Sequence, residues 1–134
     1  MSTTSRGDQI DGVLHAVEAY FHTMHHGDGA GLRRICHPGL QLIGWFEGEL
    51  IQQSLDDWIT EVDSVNPAAV GEPFDMGLLS LELWGEQFAT ARVCNLVAGI
   101  RYEDVLTFAE QDEQWLIVSK TFTETGRVHF PDRQ

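Results

Sequence analysis

The second half of the chain alternates. From Leu78 to Thr123 apolar and polar residues exchange with a period of two, broken by short turns at Gly85–Gln87, around Gly99 and at Glu110–Glu113. That period sends successive side chains to opposite faces of a strand. The runs Leu78–Trp84, Phe88–Val97, Tyr102–Ala109 and Gln114–Thr123 are therefore expected to form strands. Sequential strands with short turns make an antiparallel meander. Such a sheet needs a covering layer on its apolar face.

The first half supplies that layer. Ile10, Val13, Leu14, Val17, Phe21 and Met24 follow helical spacing and form one stripe. Asp8 is the expected N-cap, and Gly27 and Gly29 end the helix. Asp28 opens a shorter helix with Leu32, Ile35 and Cys36 inward. His37, Pro38 and Gly39 stop it, because proline cannot continue a helix. Leu40 to Glu47 reads as a strand, with Leu40, Leu42 and Phe46 on one side and Ile43 and Trp45 on the other. Ser54 and Asp57 resemble a capping box for a third helix carrying Leu55, Trp58, Ile59 and Val62. Asn66 to Pro73 is a loop. Helices first and a meander after predict an α+β fold, a cone of N-terminal helices packed on a curved antiparallel sheet. One domain is expected over 1–134, with 1–8 and 126–134 as flexible tails. The mouth of such a cone is where ligands bind.

Charge narrows the partners. The chain carries 21 acidic and 8 basic residues, a formal net charge of −13. That surface repels phosphate backbones and anionic lipid, so neither nucleic acid nor membrane is an expected partner. No apolar run approaches the ~20 residues of a membrane span, and Met1 to Gln9 lacks a signal-peptide core. Cys36 and Cys94 are too few for a disulfide framework, and the chain reads as cytoplasmic with reduced thiols. It has no glycine-rich phosphate loop, Gly-x-Ser-x-Gly elbow or zinc spacing, so no cofactor and no metal is expected.

Asp104 is the leading candidate for chemistry. It shares a face with Tyr102, Leu106 and Phe108, the more apolar and inward side. A carboxylate there acts as a general acid or base, or is a structural group bound to backbone amides, Tyr20 or Lys120. Lys120 alternates with Leu116, Val118 and Phe122, and either pairs with Asp104 or snorkels to solvent. Tyr20, at the edge of the first helix's stripe, could donate to a ligand oxygen or serve as a core tyrosine. Trp45, Trp58, His37 and Tyr102 are the candidate ligand-binding groups, with tryptophan core packing and histidine helix capping as the plainer readings. Glu18, His22 and His26 lie one helical turn apart, but away from the apolar stripe. Val93, Val97 and Val105 are placed on an outer face suited to a homodimer.

Several local words, in order, resemble the NTF2-like superfamily, specifically its SnoaL-like and "putative lumazine-binding" group. They are Val17–Glu18–Ala19–Tyr20–Phe21, Gly27–Asp28, Cys36–His37–Pro38 with Leu40, Tyr102–Glu103–Asp104–Val105–Leu106–Thr107–Phe108 and Trp115–Leu116–Ile117–Val118–Ser119–Lys120–Thr121–Phe122. The resemblance implies the cone fold and pairing through the outer sheet. The residues then point to a small apolar, oxygenated ligand, with Asp104 as acid/base and Tyr20 and Lys120 orienting it, in a binding protein or a cofactor-independent isomerase, dehydratase or cyclase. The alternative is a non-catalytic dimeric association module, because the fold alone does not fix function.

Overall fold

The computed structural model describes residues 5–128. The elements are α1 (Arg6–His26), α2 (Gly29–Ile35), β1 (Cys36–Phe46), β2 (Glu49–Ser54) and α3 (Leu55–Asp63), then β3 (Met76–Trp84), β4 (Phe88–Val97), β5 (Ile100–Gln111) and β6 (Gln114–Arg127). A single turn of 3-10 helix, Ala68–Val70, interrupts the loop before β3. None of the described helices is long and apolar enough to cross a membrane.

Local chemistry sets the helix ends. Ser5, not Asp8, is the N-cap of α1, and its hydroxyl accepts the Asp8 N–H at 3.1 Å. Gly27 closes α1 in the left-handed conformation, φ 62°, where a side chain would be strained. Asp28 caps α2 through the Gly31 N–H, and Ser54 caps α3 through the Asp57 N–H. The buried face of α1 is rotated from the expected stripe. Gln9, Val13, Val17, Tyr20, Phe21 and Met24 are buried, while Ile10 and Leu14 are more than a third exposed. Gln9 can be inside because its amide donates to the Glu86 carbonyl at 2.7 Å.

The six strands form one sheet in the order β2-β1-β6-β5-β4-β3. β3 to β6 are the expected meander, but the sheet is mixed, because β1 runs parallel to β6. β2 has no counterpart in the sequence reading; it forms a hairpin with β1 across Glu47 and Gly48, both at positive φ. Its burial alternates weakly, so its polar residues carry little strand signal. Of the expected tails 1–8 and 126–134, residues 6–8 belong to α1 and 126–127 to β6. Residues 1–4 and 129–134 lie outside the described residues.

One irregularity sets the register of the interior. Leu106 pairs with Lys120 and Thr107 with Ser119, but Phe108 pairs with Ile117. The extra residue is a bulge. Uninterrupted alternation puts Leu116 and Val118 inside with Lys120. The bulge instead brings Trp115 and Ile117 inside, on the same side as Lys120 and Phe122, and leaves Leu116 and Val118 half-buried. Val93 and Val97 likewise belong to the buried side, not the outer face. Val93 pairs with Asp104, and the two share a face. Helices and sheet meet in one apolar core that includes Val17, Leu32, Leu42, Trp58, Leu106 and Ile117.

Candidate functional site

A partly enclosed cavity of about 300 Å³ lies between α3 and the inner face of the sheet, with Met24 of α1 contributing to its wall. Most of the lining is aliphatic or aromatic. Gln53, Glu61, Ser64, Asn95, Tyr102 and Lys120 contribute its polar groups. A few polar groups in an apolar concavity is the usual composition of a small-molecule site.

Lys120 is the only lysine of the sequence. It sits on β6, 7% exposed, and lines this cavity. Its Nζ lies 4.2 Å from the Trp58 ring centroid, 5.3 Å from that of Phe122 and 5.5 Å from that of Tyr20. Among the described residues no carboxylate oxygen comes within 4.0 Å of it. Burial pulls its pKa below the usual lysine value, and the charges of Asp104, Cys36 and Glu61 only partly offset this. The rings stabilise whatever ammonium is present.

Asp104 is fully buried on β5, yet it does not line the cavity. Its Oδ2 accepts the Tyr20 hydroxyl at 2.7 Å and the Asn95 side-chain N–H at 2.6 Å. Its Oδ1 is buried without a hydrogen-bond partner. Tyr20 is also fully buried behind the wall. Burial first, then the Asp104 charge and hydrogen bond, hold its hydroxyl well above the usual phenol range. Asn95 joins this triad to the cavity. It lines the wall, is 3% exposed, and has its amide nitrogen committed to Asp104.

Trp58 and Tyr102 line the cavity; Trp45 and His37 do not. Burial, followed by the charges of Glu124 and Asp104, pushes the Tyr102 hydroxyl up to about 12. Trp45 points outward from β1 and is 53% exposed. His37 is exposed at the start of β1, where its Nδ1 accepts the Gly39 N–H at 2.9 Å. Cys36 lies within the Lys120 surroundings, but burial pushes its thiol up to about 12, so it is a poor nucleophile. Among the described residues no group of three or more His, Cys, Asp or Glu side chains is placed to hold a metal ion. His22 and His26 stack face to face at 6.0 Å on α1.

Asn95, Gln53 and Glu61 were not singled out by the sequence reading. Asn95 shares strand parity with Val93 and Val97, so placing those two on the outer face also hid Asn95, which the structure buries beside them. Gln53 and Glu61 belong to β2 and α3, and their approach, with the Gln53 amide donating to the Glu61 carboxylate at 2.7 Å, depends on tertiary packing.

Helices over a curved mixed sheet, with a cavity between them, define an NTF2-like α+β protein. The family model described as "Putative lumazine-binding" matches residues 8–123, and the chain belongs to that family. An NTF2-like protein of unknown function from Silicibacter pomeroyi DSS-3 is 29% identical, with a TM-score of 0.82 over 91% of this chain and 100% of that one. A second, from Methylobacillus flagellatus KT, is 22% identical, with a TM-score of 0.81 over 94% and 99%. A third, from Shewanella baltica OS155, is 16% identical, with a TM-score of 0.81 over 92% and 99%. The comparison with curated proteins gave no match.

Proposed function

We propose that the protein binds a small, largely apolar, oxygenated molecule in the cavity between α3 and the sheet. The observation that carries this is a cavity of about 300 Å³ whose apolar wall holds an isolated lysine amine. A volume of that order accommodates a small metabolite. The Lys120 amine, the Asn95 amide and the Tyr102 hydroxyl are the groups that orient an oxygen. Any isomerase, dehydratase or cyclase chemistry would use Lys120 or Tyr102 for proton transfer. Asp104 and Tyr20 stand behind the wall and position Asn95. The two free cysteines fit a reducing compartment, which supports placement in the cytoplasm.

Native mass spectrometry of freshly purified protein tests the reading, paired with thermal shift against small carbonyl and hydroxyl compounds. The expected result is a retained or stabilising ligand, whose effect disappears when Val62→Trp fills the cavity. A wild-type protein indifferent to the whole panel would count against it.

One observation favours pairing of two copies as well. The outer sheet face exposes Ile43, Trp45, Val105, Trp84 and Phe88, between 41% and 55% accessible. Exposed apolar groups on a face without helices suit a second copy of the chain. Light scattering tests this: a dimer is expected, and Trp45→Glu with Val105→Glu is expected to give monomer. A monomeric wild-type protein at micromolar concentration removes the idea.

A further inference from the structure

We infer that Lys120 is a covalent site: its amine condenses with an aldehyde or ketone held in the cavity to form an imine. The inference rests on the cavity-binding reading above and names the ligand class. Four observations carry it.

The first is placement. The single lysine of an acidic chain lines the cavity between α3 and the sheet. Arg33, Arg34, Arg92, Arg101 and Arg127 are instead paired with carboxylates on the surface. The second is isolation. A structural buried ammonium takes an acid partner. Buried Asp104 instead receives Tyr20 and Asn95 and makes no ion pair with Lys120. The third is environment. Lys120 is 7% exposed in a largely apolar wall, and that desolvation, which favours the neutral, nucleophilic amine, outweighs the ring contacts that would hold an ammonium. The fourth is selectivity. Glu61 also lines the cavity, and the chain's net charge is −13. Both disfavour a carboxylate or phosphate ligand for that amine, which leaves a neutral carbonyl.

The step balances without an oxidant or reductant. The Nζ lone pair attacks the carbonyl carbon, and the C=O electron pair moves to oxygen. A proton passes from nitrogen to that oxygen to give a carbinolamine. Loss of water then forms the C=N bond, and hydrolysis reverses it. The Tyr102 hydroxyl, on the same wall, is the protein group placed to exchange protons with the departing oxygen. Asp104, Cys36, Glu61, Tyr20 and Tyr102 are the titratable groups facing or neighbouring the amine.

The test uses the full chain with benzaldehyde and sodium cyanoborohydride at neutral pH, followed by intact-mass and peptide analysis. The expected result is one benzyl group on the peptide containing Lys120. Trapping at Lys120 should be faster in the folded protein than in urea, because the cavity holds the aldehyde beside a desolvated amine. Lys120→Arg, checked for folding by circular dichroism, should lose the adduct. An adduct confined to the N-terminal amine, or equal rates in folded and unfolded protein, overturns the inference. Thermal shift with benzyl alcohol, which cannot form an imine, separates the two readings. Stabilisation by the alcohol without an aldehyde adduct overturns the imine and leaves the cavity reading standing. No stabilisation by either compound and no adduct removes both.

Discussion

The Tyr20 hydroxyl donates to Oδ2 of Asp104 at 2.7 Å, tying α1 to β5 across 84 positions of sequence, with both side chains fully buried. The same oxygen also takes the Asn95 amide, so a helix and two strands meet on one atom. Tyr20→Phe keeps the ring packing and removes one of the two donors. The expected cost is about 1–3 kcal/mol, the usual consequence of leaving a buried acceptor short of a partner. Urea unfolding measures it. Tyr102→Phe, whose tyrosine is less buried, should cost less, and the reverse order would show that the triad does not stabilise the fold.

Lys120→Met should be neutral or stabilising at pH 7, because it replaces a buried amine that has no ion-pair partner with an apolar side chain of similar length. The pH dependence carries the sharper test. The folded pKa of Lys120 lies below the unfolded value near 10.5. Between those two values the unfolded chain holds the extra proton, so this residue's contribution to stability rises with pH. Wild-type stability minus that of Lys120→Met should therefore increase as pH climbs toward 10.5. Paired urea titrations from pH 7 upward check this, and a flat difference would mean that the amine titrates normally.

Cys36 works in the opposite sense. Its folded pKa is about 12 against 9.0 for a free thiol. The stabilisation is fully present below pH 9 and is lost as pH rises toward 12. The slope is about 1.4 kcal/mol per unit of pH while only the unfolded thiol ionises. Cys36→Ala should flatten the alkaline decline relative to wild type. Alkylation at pH 9 offers a second readout, since native Cys36 should react only at the rate of unfolding.

Much of the fold was legible because periodicity reports burial directly. The β4 run, the Ser54 cap and the inward side of Asp104 all follow from residue type and spacing. The failures share a cause. The bulge in β6 inverts parity for Leu116 and Val118, and no turn residue marks it. The rotation of α1 that buries Gln9 and Tyr20 depends on partners in the β3–β4 turn and β5. The parallel docking of β1 on β6 joins distant segments. For the site, Asp104 and Lys120 were visible as polar residues on an apolar face. Their separation, with Asp104 behind the wall and Lys120 in it, was not, because it turns on which side chains reach Asp104 first.

Gly27→Ala should be among the more damaging single changes to the helical layer. The residue ends α1 at φ 62°, and an added Cβ would collide with the Val65 carbonyl oxygen. Backbone strain alone costs about 1–2 kcal/mol, and the clash adds displacement of the chain leaving α3. Val65 also lines the cavity. Thermal unfolding should show the lower midpoint, and ligand-induced stabilisation should fall with it. Gly71→Ala provides the control, since Gly71 has a similar φ of 81° with open space around its Cβ position. It should show the strain without the clash.

Glu72 is 4% exposed, and its carboxylate accepts the N–H groups of Ala98 and Gly99 at 2.9 and 2.7 Å. Those two residues form the β4–β5 turn, both left-handed, with φ of 55° and 80°. A carboxylate can take both amides at once, whereas a glutamine must turn an N–H toward one of them. Glu72→Gln should therefore destabilise by about 1–3 kcal/mol. Ala98→Gly relieves the left-handed strain of a residue with a Cβ and should be neutral or stabilising by up to about 1 kcal/mol. Combining them separates two causes of turn geometry. If Glu72 stabilises the turn by holding Ala98 in its strained conformation, Glu72→Gln will cost less in the Ala98→Gly background. If its effect is only to satisfy the two amides, the costs will add. Urea midpoints of the four proteins decide between these, and Ala98, as part of the cavity wall, makes the answer bear on ligand affinity as well.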